Sequence, residues 1–343
     1  MQRFHQFSLT TDRLTTAYYH WGEENEKKLL LVHGNLSSSV FFLPLLPELS
    51  KHYDVVIPDL RCFGDSDELP IDATRGYRDW SDDLAEFTSA LGWDRFSLLG
   101  WSLGGNISMQ FAIDHPDRLE RLILLAPGSP FGIGGVRGRQ GIAVHPIGLG
   151  SGAGCVNPQL LGIIAGKNKS TMKLMMQKFY FHSAFDELEE EVQDLLAEGI
   201  GKTKMGYDKY PGSFHHSFLW PFIVAGRHGV MNTMSPAYGN LSDFVNISEK
   251  IPVLWIRGVE DEVVSDHSLF DIGYLGSIGI MPGWPGNEIF PIQPMIKQIR
   301  YLLDQYVASG GKYREAVIRG GHACHLEDQK AFLEEVRIFM EKT

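Results

Sequence analysis

The stretch LLGWSLGGN, residues 98–106, passes from an apolar run into glycines. Its one hydroxyl, Ser102, lies two positions from Gly100 and two from Gly104. The run before it reads as a buried strand, and residues 103–115 read as a helix. A serine on that turn fits the G-x-S-x-G elbow, where a tight backbone lifts the hydroxyl clear of the sheet edge. Glycine on either side removes Cβ atoms that would collide there. The helix start adds a positive dipole end beside any developing oxyanion. Ser102 is therefore the candidate nucleophile.

A serine needs a base, and the segment IRGGHACHLED (318–328) offers His322 and His325 after the last strand-like run. His322 directly follows Gly320-Gly321 and is the favoured base. His325 lies nearer the final helix and reads as a surface or capping residue. A base needs an orienting carboxylate. WIRGVEDEVV (255–264) supplies Glu260, Asp261 and Glu262. Asp261, short and ahead of Val263-Val264, is the expected acid, with its glutamate neighbours facing solvent. For an oxyanion, the candidate donors are the backbone N–H groups of Leu103 and of Asn35, which follows His33-Gly34.

The surrounding pattern predicts a doubly wound, mostly parallel α/β sheet. Apolar runs at 27–34, 53–60, 95–102, 119–127, 251–258 and 313–321 read as strands covered on both faces. Helical spacings at 77–92, 103–115, 292–308 and 328–341 alternate with them. The pair QFSLTT and LTTAYYHW near the N-terminus reads as an antiparallel edge. Alternation stops between about residues 128 and 247, which begin with a glycine-packed loop and continue with helical patterns. The expected organisation is a first core part at 1–127, an inserted, mainly helical cap at 128–247, and a second core part at 248–343 carrying acid and base.

At these motifs the chain resembles the α/β-hydrolase superfamily, in particular its capped, serine esterase-like branch. LLLVHGN resembles the family's oxyanion strand, DLRCFGDSD its D-x-R-G-x-G-x-S turn, LLGWSLGGN its elbow, WIRGVEDEVV its acid loop and GGHACHLED its histidine loop. The order Ser102, Asp261, His322 is the order expected in that family. The resemblance implies hydrolysis through an acyl-enzyme without metal or cofactor. Cys62 departs from the pattern, standing where the family usually has glycine. Relatives that cut carbon–halogen bonds or epoxides carry aspartate at the elbow; Ser102 excludes that chemistry here.

Composition narrows the partners. The formal net charge of −11 over 343 residues offers no basic excess for nucleic acid. No apolar run approaches the roughly 20 residues of a membrane span, and the N-terminus lacks a signal-peptide core. Three scattered cysteines, Cys62, Cys155 and Cys324, show no metal-type spacing and predict a reduced, cytoplasmic protein. Oligomeric state is not legible. Aromatics of the insertion and of the Gly/Pro-rich segment 268–291 are expected to enclose an apolar pocket, with Trp101, Phe218, Trp220 and Trp284 as lining candidates. The expected activity is cleavage of an ester, lactone or related acyl bond in a small, neutral, hydrophobic substrate. Two other readings stand beside it: a carbon–carbon bond hydrolase acting on a diketone, and a small-molecule receptor with a slow triad.

Overall fold

The computed structural model describes residues 4–341. One eight-stranded sheet runs through it: β1 (Gln6–Thr10), β2 (Thr15–Trp21), β3 (Lys28–Val32), β4 (Asp54–Pro58), β5 (Phe96–Trp101), β6 (Leu119–Leu125), β7 (Pro252–Gly258) and β8 (Lys312–Ile318). Their spatial order is β1-β2-β4-β3-β5-β6-β7-β8. The β1–β2 and β2–β4 pairs are antiparallel. The pairs from β4 to β8 are parallel.

Strand β3 shows why the runs are unbroken. Leu30 and Val32 enter one core with Val56, Leu98 and Leu122. Leu29 and Leu31 enter another with Val55, Leu99 and Ile123. Side chains alternate between faces, so a sheet covered on both sides needs an apolar residue at nearly every position. Helix Arg78–Ala90 closes the first core by burying Trp80, Leu84 and Phe87, the spacing expected of one helical face. Helix Leu103–Asp114 packs on the same side through Leu103, Ile107 and Phe111.

Residues 126–251 connect the neighbouring strands β6 and β7. They contain helices Pro158–Gly166, Lys169–Phe179 and Glu190–Gly201 and an antiparallel hairpin, Phe214–His216 with Ile223–Ala225. The glycine-packed stretch before them holds only two-residue strands and one 3-10 turn. Helix Pro158–Gly166 is absent from the sequence reading because its apolar residues show no single face. Among the described residues no helix is long and apolar enough to cross a membrane.

Candidate active site

Parallel register brings three chain segments to one sheet edge. Trp101, the last residue of β5, pairs with Leu125, and Leu125 pairs with Ile256 of β7. Gly258 of β7 pairs with Ile318 of β8. Ser102, Asp261 and His322 all follow within a few residues of these C-terminal strand ends.

Ser102 has φ 56° and ψ −120°, a strained conformation for a residue with a side chain. Its amide still donates to Leu125 O at 2.9 Å, as if the strand continued. A Cβ on Gly100 would collide with Gly104 O and the Ser108 hydroxyl, and one on Gly104 with Val32 O. The flanking glycines are thus required by close approach. A Cβ on Gly34 would fall 3.0 Å from Ser102 Cβ, so the Gly34 loop lies directly against the serine.

His322 and Asp261 form a buried pair. His322 Nδ1 lies 2.9 Å from Asp261 Oδ2. Asp261 Oδ1 accepts from the amides of Val263 (2.8 Å) and Val264 (2.9 Å), so the loop's own turn aims the carboxylate. Glu262 is exposed, as expected. Glu260 is not turned to solvent: its Oε2 accepts from Gly320 N at 2.8 Å, holding the loop that carries the histidine. Among the described residues the Ser102 hydroxyl makes no hydrogen bond to the His322 ring; such contacts commonly tighten only with substrate.

The amides of Asn35 and Leu103 find no acceptor among the described residues. They are free donors beside Ser102, and Leu103 opens helix Leu103–Asp114, where N–H groups are unpaired by construction. His33 has a structural place. Its Nε2 accepts from Leu60 N at 3.0 Å, and burial pushes its pKa down to about 4.

Trp101 is wholly buried, so it does not line a pocket. Its indole Nε1 donates to His322 O at 2.9 Å, and its ring stacks on Phe41. His325 is wholly buried too, contrary to the surface or capping role expected of it. It packs against Trp101, Phe42 and Phe332, and neither ring nitrogen has a partner among the described residues. Burial, with His322 nearby, pushes its pKa down to about 3. A neutral histidine locked in an aromatic cage is ill placed to shuttle protons.

Trp220 and Trp284 meet around Phe290. Trp220 lies 4.8 Å from the Phe290 ring, and Trp284 Nε1 donates to Phe290 O at 2.9 Å. With Leu149, Val224 and Ile272 they build a small apolar cluster. Phe218, however, is 103% exposed and lines no enclosed space. Cys62 takes φ 72°, the left-handed conformation that favours glycine. Its Sγ donates to Leu69 O, and burial pushes its thiol up to about 12, so it is not a reactive group.

Three contacts with the 126–251 segment were missed in the sequence. Tyr180 Oη lies 2.9 Å from both Asn35 O and Leu36 O, sharing its one proton between them. Tyr180 O accepts from Ala323 N at 2.8 Å. Glu327 accepts from Gly321 N (2.6 Å) with one oxygen and from His182 N (2.9 Å) with the other. The 126–251 segment therefore grips the loop of Asn35 and Leu36 and the loop of His322 together. A tyrosine at a helix end and a glutamate near a glycine pair carry no motif that announces this.

The family profile described as alpha/beta hydrolase fold matches residues 27–141. A 2-hydroxy-6-oxo-2,4-heptadienoate hydrolase of Pseudomonas putida is 37% identical over 100 residues, 28% of this chain and 36% of that one. A pimeloyl-[acyl-carrier protein] methyl ester esterase of Aliivibrio salmonicida is 33% identical over 118 residues, 34% of this chain and 42% of that one. The chain thus spans well under half the length of these curated relatives. A crystal structure of a serine hydrolase from Cycloclasticus zankles superposes with TM-score 0.63 at 17% identity, covering 99% of this chain and 98% of that one. The chain has the α/β-hydrolase fold.

Proposed function

We propose that the protein is a serine hydrolase that cleaves an ester, lactone or related acyl bond through an acyl-enzyme. One observation carries the reading: a serine strained to φ 56° on a strand-to-helix turn, at the same sheet edge as a buried Asp261–His322 pair. In this reading His322 Nε2 takes the Ser102 proton as Oγ attacks the acyl carbon. Asp261 holds Nδ1–H and stabilises the imidazolium. The amides of Asn35 and Leu103 receive the oxyanion, and His322 returns the proton to the leaving group. Water then repeats the attack to free the acid and Ser102. Residues 128–247 act as a cap over this edge. Together with 268–291 they favour a small, neutral, hydrophobic substrate, because the aromatic stretches 210–226 and 268–291 hold no Lys or Arg for a polyanion. A cytoplasmic location belongs to the same proposal.

The Pseudomonas putida relative's name keeps a second reading open, carbon–carbon bond hydrolysis on a diketone by the same three residues. An organophosphonate probe tests the first step common to both. It should add once per chain, and Ser102→Ala should abolish labelling and cut turnover by roughly 10³-fold or more. Labelling that survives Ser102→Ala rejects the nucleophile. Release of alcohol from acyl esters, against cleavage of a vinylogous diketone, separates the two reactions. Tight binding of either with negligible turnover marks a receptor instead.

A further inference from the structure

Three stretches of this acidic chain contain no Asp, Glu, Lys or Arg at all: 140–166, 210–226 and 272–287. The structure packs them together. Gly150 N donates to Ile223 O, and Trp220 Nε1 donates to Pro282 O at 2.9 Å. Their buried members form the cluster around Phe290. Several of their exposed members are large and apolar, beside exposed His215 and His216 at the base of the hairpin. Phe218 is 103% exposed at the tip of the Phe214–His216/Ile223–Ala225 hairpin, with Leu219 and Phe222 each at 53%. Ile280, on the loop Trp220 touches, and Ile289, two residues outside the third stretch, beyond Glu288 and next to Phe290, are each at 62%.

We propose that this hairpin tip and the 278–289 loop dock the protein on the surface of a zwitterionic lipid aggregate. Single exposed apolar residues are ordinary, but a cluster of this kind marks an interaction site. The backbone of the tip favours lipid over a protein partner. Ser217 N donates to Phe222 O, Leu219 N to Ser217 Oγ and Phe222 N to Leu219 O, and Pro221 has no N–H. Most tip amides therefore need nothing from outside, which matters where the surrounding medium has no acceptors. The Trp220 and Trp284 N–H groups are likewise spent internally. A protruding phenylalanine needs a matching cavity on a protein but none in a lipid layer. Charge selects the kind of lipid. The hairpin tip and the 278–289 loop contribute exposed Glu288 and no Lys or Arg of their own. One cation, Arg137, reaches the loop, through Glu288 O at 2.6 Å, and the chain carries −11, so nothing here gathers the basic cluster that anionic headgroups need.

The inference does not depend on the hydrolase reading. The test is flotation of the full-length protein with phosphatidylcholine vesicles. Wild type and Ser102→Ala should co-float equally. Phe218→Asp, at a site too exposed to affect folding, should lower partitioning by about tenfold or more while leaving phosphonate labelling of Ser102 unchanged. Added phosphatidylserine should not strengthen binding. Wild type that stays in the lipid-free fraction overturns the proposal. So does flotation unaffected by Phe218→Asp, or binding that requires anionic lipid. A dimer that Phe218→Asp converts to monomer, without flotation of wild type, assigns the surface to a second copy instead.

Discussion

The indole of Trp101 donates its N–H to the backbone carbonyl of His322 at 2.9 Å, so the residue before the candidate nucleophile holds the candidate base. The bond is buried and ties the end of β5 to the loop after β8. Trp101→Phe keeps an aromatic ring against Phe41 but leaves a buried carbonyl without this donor. The expected cost is about 1–3 kcal/mol in denaturant unfolding, with slower phosphonate labelling of Ser102. Unchanged stability and labelling together would show that the His322 loop is held by other contacts.

Tyr180→Phe removes the one proton shared by the Asn35 and Leu36 carbonyls. Asn35, whose amide is a proposed oxyanion donor, loses the tether on its carbonyl. With one buried hydrogen bond at stake, kcat on a water-soluble ester should fall about tenfold, while KM moves less. A purely structural tyrosine would lower melting temperature and leave kcat at full value.

Glu327→Gln tests the grip of the insertion on the histidine loop. Glutamine presents one oxygen and one N–H donor to two amide donors, so either the Gly321 or the His182 bond is lost. We expect kcat/KM to fall about tenfold, in line with loss of a hydrogen bond to a charged group. Glu260→Gln keeps one oxygen for its single partner, Gly320, and should be milder. Equal and wild-type activity in both variants would remove these carboxylates from the positioning of His322.

His325 makes a prediction about acid stability. Its pKa is near 6.5 in an unfolded chain and about 3 in the folded protein. Between those values the unfolded state binds more protons, so stability is present above pH 6.5 and is lost as pH falls toward 3. His33 acts in the same direction down to about pH 4. His325→Leu fills the cage without a titrating group. Its stability advantage over wild type should grow from pH 7 to pH 4, because the other titrating groups are common to both proteins. Parallel stability curves for the two proteins would show that His325 is not neutral in the fold.

Much of this protein was legible in one dimension. The six parallel-type runs lie within a few residues of the strands found, because burial on both faces demands unbroken apolar sequence. Helix Arg78–Ala90 was legible from the spacing of Trp80, Leu84 and Phe87. The placement of the candidate residues was legible too: Ser102 because an elbow needs glycines on both sides, and Asp261 and His322 because each follows a strand by a short loop.

What tertiary structure alone decided are the partners and the exposures. Tyr180 and Asn35 are 145 residues apart, as are His182 and Glu327. Periodicity reports that a side chain is buried, not which distant carbonyl or amide it meets. The same reason governs His325, polar in sequence yet caged among Trp101, Phe42 and Phe332, which converge from three separate segments. It governs Phe218 in the opposite sense: an aromatic among aromatics reads as core, but a two-stranded hairpin has a tip, and nothing in the described fold covers it. Local pattern determined the sheet and the three residues at its edge. The path of the chain between β6 and β7 determined what holds them in place.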